Sequence, residues 1–253
     1  MKGQQFLVIT LGVRVPEDLH GKIAKAAGKA GVPYIMPNVY GGDVQNTKLG
    51  EETMYGPRSQ QAIADVMNAG ASYIVMCCGF WYEWSLALGE QWYGFDIKNK
   101  KVTFFDDGTT KISSSTWNQC GRALAALLSL PESGASPSLA DFKNKHFYLT
   151  SFTVSQRDML DSLNRVMGTT DKDWEITSEP TAERYQKGLE EMKKGIFTGF
   201  PKAMYTRVFY PNGGGDFAYR GLSNDVLGLP KEDLDDATRR AVDMVHSGWS
   251  PFA

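Results

Sequence analysis

The side chains best suited to chemistry in this 253-residue chain are aromatic. Phe80, Trp81, Tyr82 and Trp84 crowd into one segment after Gly79, and Tyr40 stands shortly after Pro37. Both places fall just beyond predicted parallel strands, and open α/β sheets bind their ligands at the carboxyl ends of such strands. An aromatic group there can line a pocket for a flat organic substrate, with Tyr40, Phe80, Trp81, Tyr82 and Trp84 as its walls. It can equally pack the sheet against the rest of the chain, and the residue types alone support both readings.

Other reactive groups are sparse. Cys77 and Cys78 are adjacent within a predicted strand, so their side chains point to opposite faces and read as small buried apolar residues. A thiol nucleophile needs a base nearby, yet the three histidines, His20, His146 and His246, are scattered. His20 is expected on the exposed side of a helix. No His/Asp/Glu cluster has metal-ligand spacing, so no metal is expected, and three cysteines make no disulfide framework. Glycines 213–215 form a flexible loop without the Lys or Ser/Thr signature of a phosphate cradle.

Composition sets the frame for these groups. Lys and Arg number 27 against 29 Asp and Glu, a net charge of -2, which lacks the basic excess that nucleic acid binding requires. No apolar run approaches the ~18 residues of a membrane span. The N-terminus carries only a short apolar run with no small-residue cleavage site, so a reducing, cytoplasmic setting is expected.

The elements that must position the aromatic group follow from periodicity. Segments 6–11, 32–36 and 73–78 are near-continuous apolar runs, the pattern of strands covered on both faces. Between them lie two predicted helices. The first opens at Pro16-Glu17-Asp18, has an apolar stripe of Leu19, Ile23, Ala26, Ala27 and Ala30, and stops at Gly31. The second covers about 58–69, with Ala62, Ile63, Val66 and Met67 inward and Gly70 as its end. This β-α-β-α-β order predicts a parallel α/β sheet with right-handed crossovers. Past residue 80, segments 101–105 and 111–113 flank Asp106-Asp107-Gly108 and read as a hairpin. Ser115 or Thr116 caps a helix carrying Trp117, Cys120, Leu124, Leu127 and Leu128. Segment 131–138 is a loop, 146–150 and 174–177 are strands, Ser155 and Asp158 open a helix, and 181–194 and 231–247 are helical.

Segments 2–12, 26–41, 79–84, 97–108 and 152–156, in that order, resemble successive segments of the NmrA-like / isoflavone-reductase-like family, most closely its fungal NAD(P)-binding members. The resemblance implies an extended Rossmann sheet with a smaller substrate-side region. It implies an NAD(P)-dependent reductase of secondary metabolism, acting on a small, aromatic or polyketide-like molecule with NADP or NAD. It carries cofactor contacts onto Thr10, Gly12, Pro37, Asn38 and Tyr40, and substrate contacts onto Tyr40, Phe80, Trp81, Tyr82 and Trp84. The family's catalytic lysine falls at Ser59, beside Arg58. An arginine stays protonated and cannot relay a proton as a tuned lysine can, so no catalytic residue is assigned.

The family's Gly-x-x-Gly-x-x-Gly turn and the Tyr-x-x-x-Lys pair of short-chain dehydrogenases have no counterpart. No Gly-x-x-Gly-x-x-Gly turn occurs, and Gly28 with Gly31 lies at a helix end leading into a strand, which reads as a helix stop. No tyrosine has a lysine four residues on. In a doubly wound order 3-2-1-4-5-6, segment 6–11 takes the fourth place. The expectation is therefore one domain over 1–253 with an N-terminally truncated Rossmann-like parallel sheet. Residues 1–80 keep the rest of that sheet, and 81–253 form an α+β substrate-side region that returns some strands to it. The free edge of 6–11 would pair with a second copy or a partner chain. A cofactor-independent isomerase or cyclase, and a non-catalytic regulator, stay open as alternatives.

Overall fold

The structure is a computed structural model that describes residues 1–12 and 15–251. Its first part alternates strands and helices: β1 (Phe6–Val8), α1 (Leu19–Lys29), β2 (Tyr34–Met36), β3 (Tyr40–Gly41), α2 (Thr47–Glu52), α3 (Gly56–Asn68) and β4 (Ser72–Cys77). The middle contains β5 (Phe80–Trp81), α4 (Tyr82–Ala87), β6 (Phe95–Asp96), β7 (Lys101–Phe105), β8 (Ile112–Ser115) and α5 (Trp117–Leu128). Then follow β9 (Lys145–Tyr148), β10 (Phe152–Val154), α6 (Gln156–Met167), β11 (Glu175–Glu179), α7 (Thr181–Lys193), α8 (Gly199–Val208) and α9 (Leu234–His246).

The main sheet is parallel throughout. β1 pairs with β2, and β4 pairs with β2 and β3 along one edge and with β9 along the other. Among the described residues β1 pairs with β2 alone, so it is an edge strand. It is also shorter than the apolar run predicts, because the chain leaves the ladder after Val8. Alternation on β4 separates the two faces. Ile74, Met76 and Cys78 join α5 in one apolar cluster, while Val75 and Cys77 lie in another on the far face.

On that far face α1 packs on α3 through glycine. A Cβ on Gly28 would lie 2.0 Å from the carbonyl oxygen of Ala69, so Gly28 is a packing position rather than part of a stop. The stop is Gly31, at φ +79°. The buried side of α1 is His20, Ala24 and Ala27, not the full predicted stripe. Of the predicted inward positions on α3, Ala62 and Val66 are buried, while Met67 is 60% exposed.

The remaining elements form two small sheets, β10-β8-β5 and β11-β7-β6, around a second core that includes Tyr82, Tyr93, Phe105 and Phe209. The predicted hairpin between β7 and β8 does not form, because β7 pairs with β6 and β11, and β8 with β5 and β10. Gln156, fully buried, binds the backbone of β7 directly. Its Oε1 accepts from Phe105 N at 2.6 Å and its Nε2 donates to Thr103 O at 2.9 Å and Tyr93 O at 2.8 Å. The expected flexible glycine loop is packed at one end: Gly215 is buried and accepts a hydrogen bond from Ser113 N.

Two predicted helix starts are present with their capping geometry. Thr116 accepts from Gln119 N at the head of α5. Ser155 and Asp158 form a reciprocal capping box on α6. Among the described residues no helix is long and apolar enough to cross a membrane, and no group of three or more potential metal ligands occurs.

Candidate functional site

A cleft of about 420 Å³ opens at the carboxyl ends of β1, β2 and β4, with α5 as its roof. Thr10, Leu11 and Gly12 follow β1 on one side, Asn38 and Tyr40 follow β2, and Met76, Cys78 and Trp81 continue from β4. The face of α5 above them carries Trp117, Cys120, Gly121 and Leu124, a helical i, i+3, i+4, i+7 stripe. The structure therefore brings together Thr10, Gly12, Asn38, Tyr40 and Trp81, five of the residues singled out from sequence.

Two of these five act first on the protein itself. The Asn38 side chain clamps the peptide after β1: Leu11 N donates to Oδ1 at 3.0 Å, and Nδ2 donates to Leu11 O at 3.1 Å. The Tyr40 hydroxyl donates to Ile9 O at 3.0 Å. Together they hold the exit of the edge strand against β2. Burial, with the Cys78 thiol nearby as a smaller cause, pushes the Tyr40 phenol well above its ordinary pKa, so it stays protonated.

Behind Asn38 lies His20, which the sequence reading places on the surface. It is 9% exposed. Asn38 N donates to its Nε2 at 3.3 Å, which places the ring proton on Nδ1, hydrogen-bonded to Asp65 Oδ2 at 2.9 Å. His20 thus positions Asn38 from behind the sheet. Its partner Asp65 is remote in sequence, so no local pattern announces the role.

The other predicted site residues lie elsewhere. Pro37 is not among the lining residues. Phe80 stacks on Tyr205 at a centroid distance of 3.8 Å, inside the C-terminal core. Tyr82 is fully buried there, its hydroxyl 2.8 Å from Thr238 Oγ1. Trp84 packs edge-on against Trp81, Trp117 and Trp249, with centroids 5.5–6.3 Å apart. Neighbouring side chains on a strand point to opposite faces, which sends Phe80 inward and Trp81 to the cleft. Ser59 is buried and donates to Tyr55 O at 2.8 Å, Arg58 is exposed, and neither lines the cleft.

The head of α5 is occupied by the protein's own carboxylates. Trp117 N donates to Glu83 Oε2 at 3.3 Å, and Glu83 is in turn held by two hydrogen bonds from Arg240. Thr116 and Arg122 donate to Glu232 at 2.7 and 2.9 Å, as does Ser151. A helix N-terminus is otherwise a natural anion site. Here two carboxylates fill that role.

Comparison with known proteins places this geometry. No family model matches the chain. It is 25% identical over 243 residues to Oxidoreductase aprR of Aspergillus flavus, covering 93% of this chain and 76% of that protein. Among solved structures, the NADPH complex of leucoanthocyanidin reductase from Vitis vinifera superposes with a TM-score of 0.69 at 12% identity, over 94% of this chain and 78% of that one. An isoflavone reductase superposes with a TM-score of 0.66 at 17% identity, over 93% and 74%. The fold is that of the NmrA/isoflavone-reductase-like proteins. In this fold β1, β2, β3, β4 and β9 form the parallel sheet, and the cleft sits at the end of it where such sheets bind ligands.

The leucoanthocyanidin reductase was solved with NADPH, and this cleft offers surface for only part of such a dinucleotide. Tyr40, Trp81 and Trp117 offer apolar ring surface for a flat heterocycle. For the diphosphate there is no Lys or Arg among the described residues lining the cleft, and the sequence has no Gly-x-x-Gly-x-x-Gly turn.

Proposed function

We propose that the chain is an oxidoreductase of small-molecule metabolism, of the NAD(P)-dependent reductase type, acting on a small aromatic substrate. The observation that carries this is the cleft, which gathers Thr10, Asn38, Tyr40 and Trp81 at the strand ends under α5. The 25% identity to a fungal oxidoreductase along most of the chain supports the same reading. In it, Tyr40, Trp81 and Trp117 receive the ring of the ligand, and the apolar walls keep water from it. Asn38 and Tyr40 orient the segment after β1 that forms one wall. Among the described residues lining the cleft no Lys or Arg meets a diphosphate, and no chemical step is assigned.

Tryptophan emission tests the reading. NADPH absorbs where tryptophan emits, so titration of the full chain should quench the emission, with less quenching in Trp81→Ala. No change at millimolar NADPH would end the redox reading for this chain. The same proposal extends to setting and assembly. Three free cysteines suit a reducing cytoplasm. The open edge of β1 takes a strand from a second copy. Light scattering across a concentration series tests this, and a monomer throughout would refute it.

A further inference from the structure

A second cavity, of about 400 Å³, lies along β9, the strand at the opposite edge of the main sheet from β1. Its lining includes Asn144, Lys145, His146, Tyr148, Arg220 and Ser223. Tyr148 shares an apolar cluster with Val75 and Cys77, whereas Met76 and Cys78 face the cleft, so the two sites are separate. The wall is held in place by short-range bonds. Asn144 Oδ1 accepts from Tyr73 N at 3.1 Å, and Asn144 N donates to Tyr73 O at 2.8 Å, which pins the entrance to β9. Ser223 N donates to Tyr148 O at 2.7 Å and ties down the segment that carries Arg220. Behind the wall stands buried Asp43, which accepts from the Tyr148 hydroxyl at 2.8 Å, the Tyr219 hydroxyl at 3.2 Å and Arg220 Nε at 3.0 Å.

The polar groups left over are donors. Arg220 spends Nε on Asp43, and its two Nη nitrogens make no hydrogen bond among the described residues. The same holds for Lys145 Nζ, Asn144 Nδ2 and the Ser223 hydroxyl. No Asp or Glu is among the described residues that line the cavity. Asp43 offsets one cation from behind, and Lys145 leaves the mouth net positive. Burial lowers the pKa of His146 below its ordinary 6.5, so the ring is neutral at pH 7 and the charge rests on Lys145 and Arg220. We propose that this cavity binds the oxyanion group of a small organic molecule, a phosphate or a carboxylate, with Arg220 as a planar fork and Lys145 as a point charge. The rings of Tyr73 and His146, with centroids 5.7 Å apart, offer its organic body apolar surface.

Calorimetric titration of the full chain with inorganic phosphate and, separately, with malonate tests this, at an ionic strength held constant with sodium chloride. At least one anion should bind saturably at a single site. Phosphate alone marks a phosphate ester as the ligand, malonate alone marks a carboxylate, and binding of both marks the shared oxyanion chemistry. Arg220→Gln should weaken binding by about tenfold, through the loss of charge-assisted hydrogen bonds. That variant also takes the cation from buried Asp43, so Lys145→Met, at an exposed position, decides independently, with binding about threefold weaker. Lys25→Met removes the same charge from an exposed position on α1 and should leave the affinity unchanged. No saturable binding of either anion, wild-type affinity in Lys145→Met, or equal weakening in Lys25→Met would overturn the proposal. The cleft has no Lys or Arg among its described lining residues, so the result is independent of the dinucleotide reading.

Discussion

Replacing Asn38 with alanine removes two hydrogen bonds at once, both to the backbone of one residue, Leu11. Leu11 N loses Oδ1 at 3.0 Å and Leu11 O loses Nδ2 at 3.1 Å. Each such bond contributes about 1 kcal/mol net, and Leu11 is only half-buried, so water recovers part of the loss. The expected cost is about 2 kcal/mol, which is roughly thirtyfold in an opening equilibrium. The loss is local, because β1 is an edge strand anchored on one side, and Ile9 N keeps its bond to Met36 O. Amide hydrogen exchange reads this directly. The Leu11 amide should exchange roughly thirtyfold faster in Asn38→Ala, with α7 and α8 unchanged. Asn38→Asp should do no better, since it sets a carboxylate oxygen against the Leu11 carbonyl. An unchanged Leu11 amide would refute the reasoning, and equal acceleration throughout the chain would show that Asn38 supports the whole fold rather than one wall.

Gly28→Ala should lower the urea midpoint by the equivalent of about 3 kcal/mol, because its Cβ would lie 2.0 Å from Ala69 O and force α1 and α3 apart; an unchanged midpoint would contradict that contact. Arg240→Met should cost about 3 kcal/mol in the same assay by leaving buried Glu83 without its cation, with partial recovery in Arg240→Lys. Glu232 makes stability pH-dependent. Burial alone would raise its pKa, but hydrogen bonds from Ser151, Thr116 and Arg122 outweigh it and hold the carboxyl below its ordinary 4.5. A lowered folded-state pKa stabilises the protein above the ordinary value and stops doing so as pH falls through the folded one. The advantage of wild type over Glu232→Gln should therefore be full at about pH 6 and shrink below about pH 4.5, and a difference that grows on acidification would reverse the assignment.

What was legible in the sequence was local. Unbroken apolar runs marked the parallel strands, and the spacing of Ser155 and Asp158 marked a helix start that carries the expected capping box. The family resemblance pointed to Thr10, Gly12 and Asn38, and the strand-end rule to Tyr40 and Trp81, and these five share one cleft. What escaped depended on distant partners. His20 meets Asp65 across 45 residues, Gln156 meets Phe105 across 51, and Glu232 meets Thr116 across 116. Each is a polar side chain whose burial is permitted only by a partner no window can see. The expected hairpin failed for the same reason, since Gln156 and β11 outcompete the nearest strand in sequence for β7. Phe80 and Trp81 prove to be neighbours on the short strand β5, where period-two alternation sends them to opposite faces.

The indoles of Trp84, Trp117 and Trp249 form a closed triangle with centroids 5.5, 5.9 and 6.3 Å apart. At such separations the excited states of neighbouring rings mix, and the mixing has a handedness set by the ring arrangement. The protein therefore carries an optical signature of its own, a paired positive and negative circular dichroism band to which Trp249, seated on α4 and α5, adds two of the triangle's three couplings. Its amplitude reports, without any added label, whether the segment after α9 is docked beside the cleft.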